Sequence, residues 1–182
     1  MSLNILMLDF ETTGIEPESN YILEVGFIAL NISKGKFQIL KDGNYLIKNN
    51  KPASQLPMND FARRMHTSNG LIQEIDSGGE FVVTLQEAES RIIRTMKEVF
   101  GDNVSGLRLS GNSISFDRSY IKIHMLNLER ILHYRMFDTS NYFEIKKELG
   151  VGHPVPRLAA HRALNDCRMS LGALYEMFRE LN

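Results

Sequence analysis

The stretch Asn4-Ile5-Leu6-Met7-Leu8-Asp9-Phe10-Glu11-Thr12-Thr13-Gly14 decides how this chain is read. Leu3 to Phe10 is apolar and predicts a buried strand. Side chains two apart on a strand share a face, so Asp9 and Glu11 stand side by side near its end. Gly14 marks the turn that follows. Two adjacent carboxylates repel, and burial raises the cost of ionising them. A divalent cation relieves that repulsion, and oxygen-rich ligand sets suit Mg2+ and Mn2+. The plainer alternative is a strand end with two solvated acids.

The rest of the chain bounds what such a site can serve. Its 182 residues and 43% hydrophobic content fit one domain, spanning 1–182, with a full core. No run of 18 apolar residues is present, so no membrane span is expected. No basic region followed by a long apolar run opens the chain, so no signal peptide is expected. The single cysteine, Cys167, excludes an intramolecular disulfide and fits a reducing, cytoplasmic setting. It lies on an apolar helical stripe and reads as core, not as a nucleophile. The net charge is −1, from 21 basic and 22 acidic residues. A protein that grips long nucleic acid by its phosphates carries a basic excess. A nucleic-acid substrate for this chain is therefore expected to be short, or held by few phosphates.

Working outward, Tyr21 to Ile32 and Phe37 to Ile47 read as the two strands of a hairpin, joined by the turn Ser33-Lys34-Gly35-Lys36. Ser54 to Gly79 mixes short helices with loop. Thr84-Leu85-Gln86-Glu87 is a capping box opening a helix that runs to about Phe100. Leu107 to Ser110 predicts a strand, Ser115 to Leu128 a helix, Tyr134 to Phe137 a strand and Thr139 to Leu149 a helix. Gly150 to Arg157, with Pro154 and Pro156, predicts a loop. The last helix runs from about Ala163 to Leu181. Its residues Leu164, Cys167, Leu171, Leu174, Phe178 and Leu181 step by three and four and form a core-facing stripe. Asp166 lies beside that stripe, next to the small residues Ser170 and Ala173. Three strands, then strands alternating with helices, imply an α/β fold with a mixed sheet flanked by helices.

Four acids and one histidine complete the pattern. Asp117 follows Gly111-Asn112-Ser113-Ile114-Ser115-Phe116 at the start of a helix. Asp166 opens the last helix, and His161 precedes it by five residues. Were both helical they would stand about 140° apart, at 100° per residue. His161 is therefore expected on a loop or first helical position, leaning over the acids.

Asp9-x-Glu11, Asp117 and His161-x-x-x-x-Asp166 resemble the three motifs of the DEDDh 3′-to-5′ exonucleases. Glu11-Thr12-Thr13-Gly14-Ile15, His66-Thr67-Ser68-Asn69-Gly70-Leu71, Gly111-Asn112-Ser113 through Asp117-Arg118, His133-Tyr134-Arg135-Met136-Phe137-Asp138-Thr139-Ser140 and His161-Arg162-Ala163-Leu164-Asn165-Asp166 resemble the oligoribonuclease branch in particular. The resemblance implies a ribonuclease-H-like fold and two divalent cations, Mg2+ or Mn2+, on Asp9, Glu11, Asp117 and Asp166. It implies His161 as general base and hydrolysis of short single-stranded RNA to mononucleotides. Small relatives that act on single-stranded DNA share the catalytic set, so DNA stays open as a substrate. A non-catalytic nucleotide-binding or dimerisation module is the reading from another class.

By the same resemblance, Ile15 wedges between the bases of a short substrate, with Thr12, Gly14, Asn112 and Ser113 as further substrate contacts. Phe61, His66 and Ser68 contact a nucleotide. Tyr134, Arg135 and Ser140 cap a 5′ phosphate from the second subunit of a homodimer. The chain departs from the family in three places. It has Phe61 where the family usually has Trp, Thr12 where Met is commoner, and a shorter Gly150 to Arg157 segment.

Overall fold

The structure is a computed structural model and describes residues 2–101, 104–151 and 161–180. Among the described residues six strands form one sheet: β1 (Ser2–Thr12), β2 (Ile22–Ser33), β3 (Lys36–Ile47), β4 (Val82–Val83), β5 (Leu107–Gly111) and β6 (Leu132–Asp138). Seven α-helices of the described residues flank it: α1 (Asp60–Ser68), α2 (Leu71–Ser77), α3 (Leu85–Phe100), α4 (Ser115–His124), α5 (Leu126–Ile131), α6 (Thr139–Glu148) and α7 (Ala163–Glu180). The strand order is β4-β3-β2-β1-β5-β6. β1, β2 and β3 pair antiparallel, while β5 lies parallel to β1, and β6 parallel to β5. The mixed sheet with flanking helices is the architecture that the order of elements implied.

β1 is buried on both faces, and its alternation decides where the site lies. Leu6, Leu8 and Phe10 join Val25 and Phe27 against Ile92 and Met96 of α3 and Tyr120 and Ile121 of α4. Ile5 and Met7 point the other way, with Ile28 and Leu30, against Cys167 and Leu174 of α7. Each such side chain gains about 1.5–3 kcal/mol from burial, so apolar packing pins α7 over β1. Asp9 and Glu11 continue the odd-numbered row and therefore emerge beneath the N-terminal end of α7. A third cluster ties Leu71, Ile72 and Ile75 of α2 to Leu23 and Leu46.

The helix expected over Ser115 to Leu128 is two helices. The chain breaks at Met125, whose φ of −132° and ψ of 60° are not helical. The new N-terminus is capped from another element: Asn127 N and Leu128 N donate to Glu89 Oε1 of α3, at 2.7 and 2.9 Å. That partner lies 38 residues away in sequence, out of reach of a local reading. The capping box on α3 formed as expected, with Glu87 N donating to Thr84 Oγ1 at 3.2 Å and Thr84 N to Glu87 Oε2 at 3.3 Å. Cys167 is buried, and its thiol donates to the Gly26 carbonyl at 3.3 Å, as a core residue does. Most of the expected loop from Gly150 to Arg157, with Pro154 and Pro156, lies outside the described residues, as does Leu181.

Gly26 pairs with Asp9 across β1 and β2 and lies under the start of α7. A Cβ there would come within 2.7 Å of the Ala163 carbonyl oxygen. The bare backbone is what lets α7 approach the acidic pair. Gly26→Ala should cost about 1–3 kcal/mol by overpacking. For a chain of this size that lowers Tm by roughly 2–12 °C. Thermal unfolding followed by circular dichroism checks it, and an unchanged Tm would mean that α7 is free to shift.

Candidate active site

Three elements deliver the four acids to one end of the sheet. Asp9 and Glu11 come from β1, Asp117 from the first turn of α4 and Asp166 from the first turn of α7. Asp117 is fixed against the first strand, because Phe10 N donates to its Oδ1 at 2.9 Å. Ligand atoms of Glu11, His161 and Asp166 all lie within 4.8 Å of one another. His161 precedes α7, is exposed, and has a φ of +39°. It thus occupies the non-helical position over the acids that its spacing to Asp166 required.

The electrostatics follow from crowding under cover. Burial, then repulsion from Asp166 and Glu24, pushes the Glu11 carboxyl up to about 8. Asp117, held away from water, is likewise pushed up to about 8, although the Phe10 N–H opposes the shift. Asp9 is raised as well, by burial and then by Asp117, Asp166, Glu11 and Glu24. Glu24 was not singled out from the sequence. It is the lone acid in the apolar run of β2, it is Glu11's direct cross-strand partner, and it is buried. Arg162 neutralises it at 3.1 Å and also bridges to Glu74 at 2.8 Å.

His66 requires a correction. It was expected to contact a nucleotide, but its ring is fully buried. Its Nε2 lies 2.9 Å from the Thr12 carbonyl, which can only accept, so Nε2 carries the proton. Nδ1 then presents a lone pair to Glu11 Oε2 at 3.8 Å and has no hydrogen-bond partner among the described residues. Burial also lowers the His66 pKa, which favours the neutral ring. Two acceptors facing each other need a proton or a cation between or beside them. With the raised carboxylates, this orphaned nitrogen is what a divalent-cation site looks like from its protein side. Asp9, Glu11, Asp117 and Asp166 are oxygen donors of the type Mg2+ and Mn2+ prefer.

The substrate positions divide into exposed and engaged. Ile15 is 71% exposed, and Phe61, at the start of α1, is 65% exposed. Both remain free to meet a base. Thr12 instead donates its hydroxyl to the Gly14 carbonyl at 2.6 Å, which Tyr120 also meets at 2.9 Å. Ser68 donates to Met65 O at the end of α1. Asn112 is half-buried beside Ser113, whose φ is +53°. On β6, Tyr134 and Arg135 are exposed, with the guanidinium carbon 5.4 Å from the Tyr134 ring centre. Arg118 supports that strand, donating to the carbonyls of His133 and Tyr134 while pairing with Glu129. The Ser140 hydroxyl is occupied: it donates to Asp138 Oδ1 at 2.6 Å, an oxygen that also accepts from Ser113 N and Ser140 N. Among the described residues no helix is long and apolar enough to cross a membrane.

A six-stranded mixed sheet carrying four acids and a histidine at one end defines a nuclease of the ribonuclease-H-like, four-carboxylate class. The chain belongs to the RNase_T exonuclease family, whose model matches residues 6–174. It is 33% identical to the oligoribonuclease of Corynebacterium diphtheriae, over 98% of this chain and 80% of that protein. It is 30% identical to the oligoribonuclease of Vibrio campbellii, over 97% of this chain and 94% of that protein. Its fold matches E. coli exonuclease I, solved as a zinc-bound complex with single-stranded DNA, with a TM-score of 0.67 at 15% identity. That match covers 96% of this chain and 40% of the exonuclease I chain. Exonuclease I from Methylocaldum szegediense matches with a TM-score of 0.63, over 93% of this chain and 39% of that one. This chain thus spans about two fifths of these larger structures.

Stability should report the crowded acids. An unfolded Glu releases its proton near 4.5, whereas folded Glu11 holds it to about 8. In that window the native state binds more protons than the unfolded chain, so stability falls as pH rises. In chelator, Tm should fall between about pH 5 and 8, and Glu11→Gln should reduce the slope. Adding Mg2+ at the upper end should raise Tm, since an ion bound only by the native state stabilises it. A chelated protein whose Tm rises across this window would contradict the acid cluster.

Proposed function

We propose that the whole chain works as a single 3′-to-5′ exoribonuclease domain, degrading oligonucleotides of two to about five residues to nucleoside 5′-monophosphates. The observation that carries this is the meeting of Asp9, Glu11, Asp117, Asp166 and His161 at one sheet end, in a chain of the exonuclease family. Asp9, Glu11, Asp117 and Asp166 would hold two divalent cations, Mg2+ or Mn2+. When bound, these neutralise phosphate charge and lower the pKa of the attacking water. His161 takes the proton from that water, as a general base does. His66 holds the end of β1, which carries Glu11, through its bond to the Thr12 carbonyl.

Substrate length follows from charge and from β6. The near-neutral net charge supports a short substrate, because a grip on a long strand by its phosphates goes with a basic excess. Arg135 carries a fork suited to a terminal phosphate. Its exposure on the edge strand β6 suits a composite site in which a second subunit caps the 5′ end. Ser140, whose amide and hydroxyl both donate to Asp138, would have to give up one of those bonds to meet the phosphate. Ile15 and Phe61 supply the apolar surfaces on which bases stack. The named oligoribonuclease relatives support RNA. The alternative substrate is single-stranded DNA, which exonuclease I binds.

Two experiments test this. The protein should be incubated with 5′-phosphorylated RNA and DNA of two, five and twenty nucleotides, with Mg2+, Mn2+ or chelator. Fast release of mononucleotides from short RNA, abolished by chelator, is expected, and faster turnover of the DNA twenty-mer would favour the alternative. Ala in place of any one of Asp9, Glu11, Asp117 or Asp166 should remove nearly all activity. His161→Ala should slow turnover by about 10² to 10⁴ with metal binding kept.

The composite site has its own test. Arg135→Ala should weaken binding of a phosphorylated dinucleotide at least tenfold, given about 1.5–3 kcal/mol per charge-assisted bond. Mixing Arg135→Ala with Asp9→Ala subunits should restore dinucleotide hydrolysis through one intact site per dimer. No recovery after verified exchange, or a monomer in solution, would exclude shared sites.

A further inference from the structure

His161 stands in a backbone conformation that a bulky side chain rarely adopts, with φ at +39°. Such a residue persists only where its surroundings hold it. Three successive residues are held here by side chains from outside their own helix. The His161 carbonyl accepts from Asn69 Nδ2 at 2.7 Å. Arg162 spreads its guanidinium across two acids, meeting Glu24 on β2 at 3.1 Å and Glu74 on α2 at 2.8 Å. Ala163 N donates to Glu24 Oε2 at 3.0 Å. We infer that Asn69 and the Glu24–Arg162–Glu74 bridge are positioning residues that hold His161 over the carboxylates, a role that presupposes His161 as the base proposed above.

Asn69 is suited to this by its place between two helices. It ends α1, and its Oδ1 accepts from Leu71 N at 3.1 Å in the first turn of α2. One face of the amide thus fixes the side chain to its own segment, while the other reaches the residue before α7. The same segment carries His66, which grips the Thr12 carbonyl. The α1–α2 segment therefore ties the strand bearing Glu11 to the loop bearing His161. Arg162 has a second consequence. Glu24 directly opposes Glu11, and the guanidinium occupies its charge, so Glu24 is kept out of the cation-binding set.

Asn69→Asp removes the positioning contact. The aspartate still accepts from Leu71 N but no longer donates to His161, and it sets a negative oxygen against that carbonyl. Small misplacements of a reacting group cost up to about 10² in rate. The variant should lose about 10- to 100-fold in kcat with KM unchanged, and retain its Tm within a few degrees. In a His161→Ala background the same change should have little further effect, which a merely structural role or an added charge near bound metal would not predict. Glu74→Ala, at the exposed end of the bridge, should give a smaller loss of the same kind, and it carries the test if Asn69→Asp does not fold. A slow His161→Ala enzyme beside full-rate Asn69→Asp and Glu74→Ala enzymes overturns the positioning role alone. A full-rate His161→Ala enzyme overturns the base assignment and the positioning role together. Losses that multiply in the double variant also overturn it.

Discussion

Repulsion among carboxylates beneath a packed helix is the constraint on which the rest of this structure depends. Asp9 and Glu11 share a face of β1 with Ile5 and Met7, and that face is roofed by α7. Asp117 and Asp166 arrive from two helices, and Glu24 stands directly across from Glu11. Five acids in so small a volume cannot all ionise without compensation. Two neighbours answer that problem in part: Arg162 neutralises Glu24, and the Phe10 N–H stabilises Asp117. The unprotonated His66 nitrogen facing Glu11 adds a further acceptor instead. What is left over is a demand for positive charge, which divalent cations meet.

The fold supplies rigidity where the chemistry needs it. Strand β1 is central and buried, so its acids cannot swing away. Gly26 removes the side chain that would hold α7 off the sheet. The α1–α2 segment closes the remaining side, packed through Leu71, Ile72 and Ile75 and reaching both β1 and the residue before α7. The apolar residues left exposed near this end, Ile15 and Phe61, are not needed for the core. That separation, with buried acids held fast and hydrophobic groups free, suits a site that positions metal and phosphate while stacking bases of any identity.

Family membership and geometry together narrow the chemistry more than either does alone. The exonuclease family match spans nearly the whole chain, and oligoribonucleases share about a third of its residues. The exonuclease I structures share the sheet and its flanking helices at low identity, in chains more than twice as long. The near-neutral charge, the edge strand β6 and the exposed Arg135 are features of this chain itself, and they favour a short, end-capped substrate.

Local pattern made the first strand, the hairpin, the capping box of α3 and the stripe of α7 legible in the sequence, because each depends on neighbours a few residues away. The spacing of His161 to Asp166 likewise placed the histidine outside the helix, since helical geometry forbids the two a common face. Long-range partners were not legible. The break at Met125 needs Glu89 from α3, and the burial of His66 needs the turn after β1 to close over it. Glu24 becomes Glu11's partner only once the hairpin register is set, and Arg162 can bridge Glu24 and Glu74 only after α7 and α2 have docked. The sequence alone singled out the four acids and the histidine of the candidate site and the elements in which they sit. Tertiary structure decided which other charges would neutralise or brace them, because charge pairing and burial are properties of contacts across the fold and not of spacing along the chain.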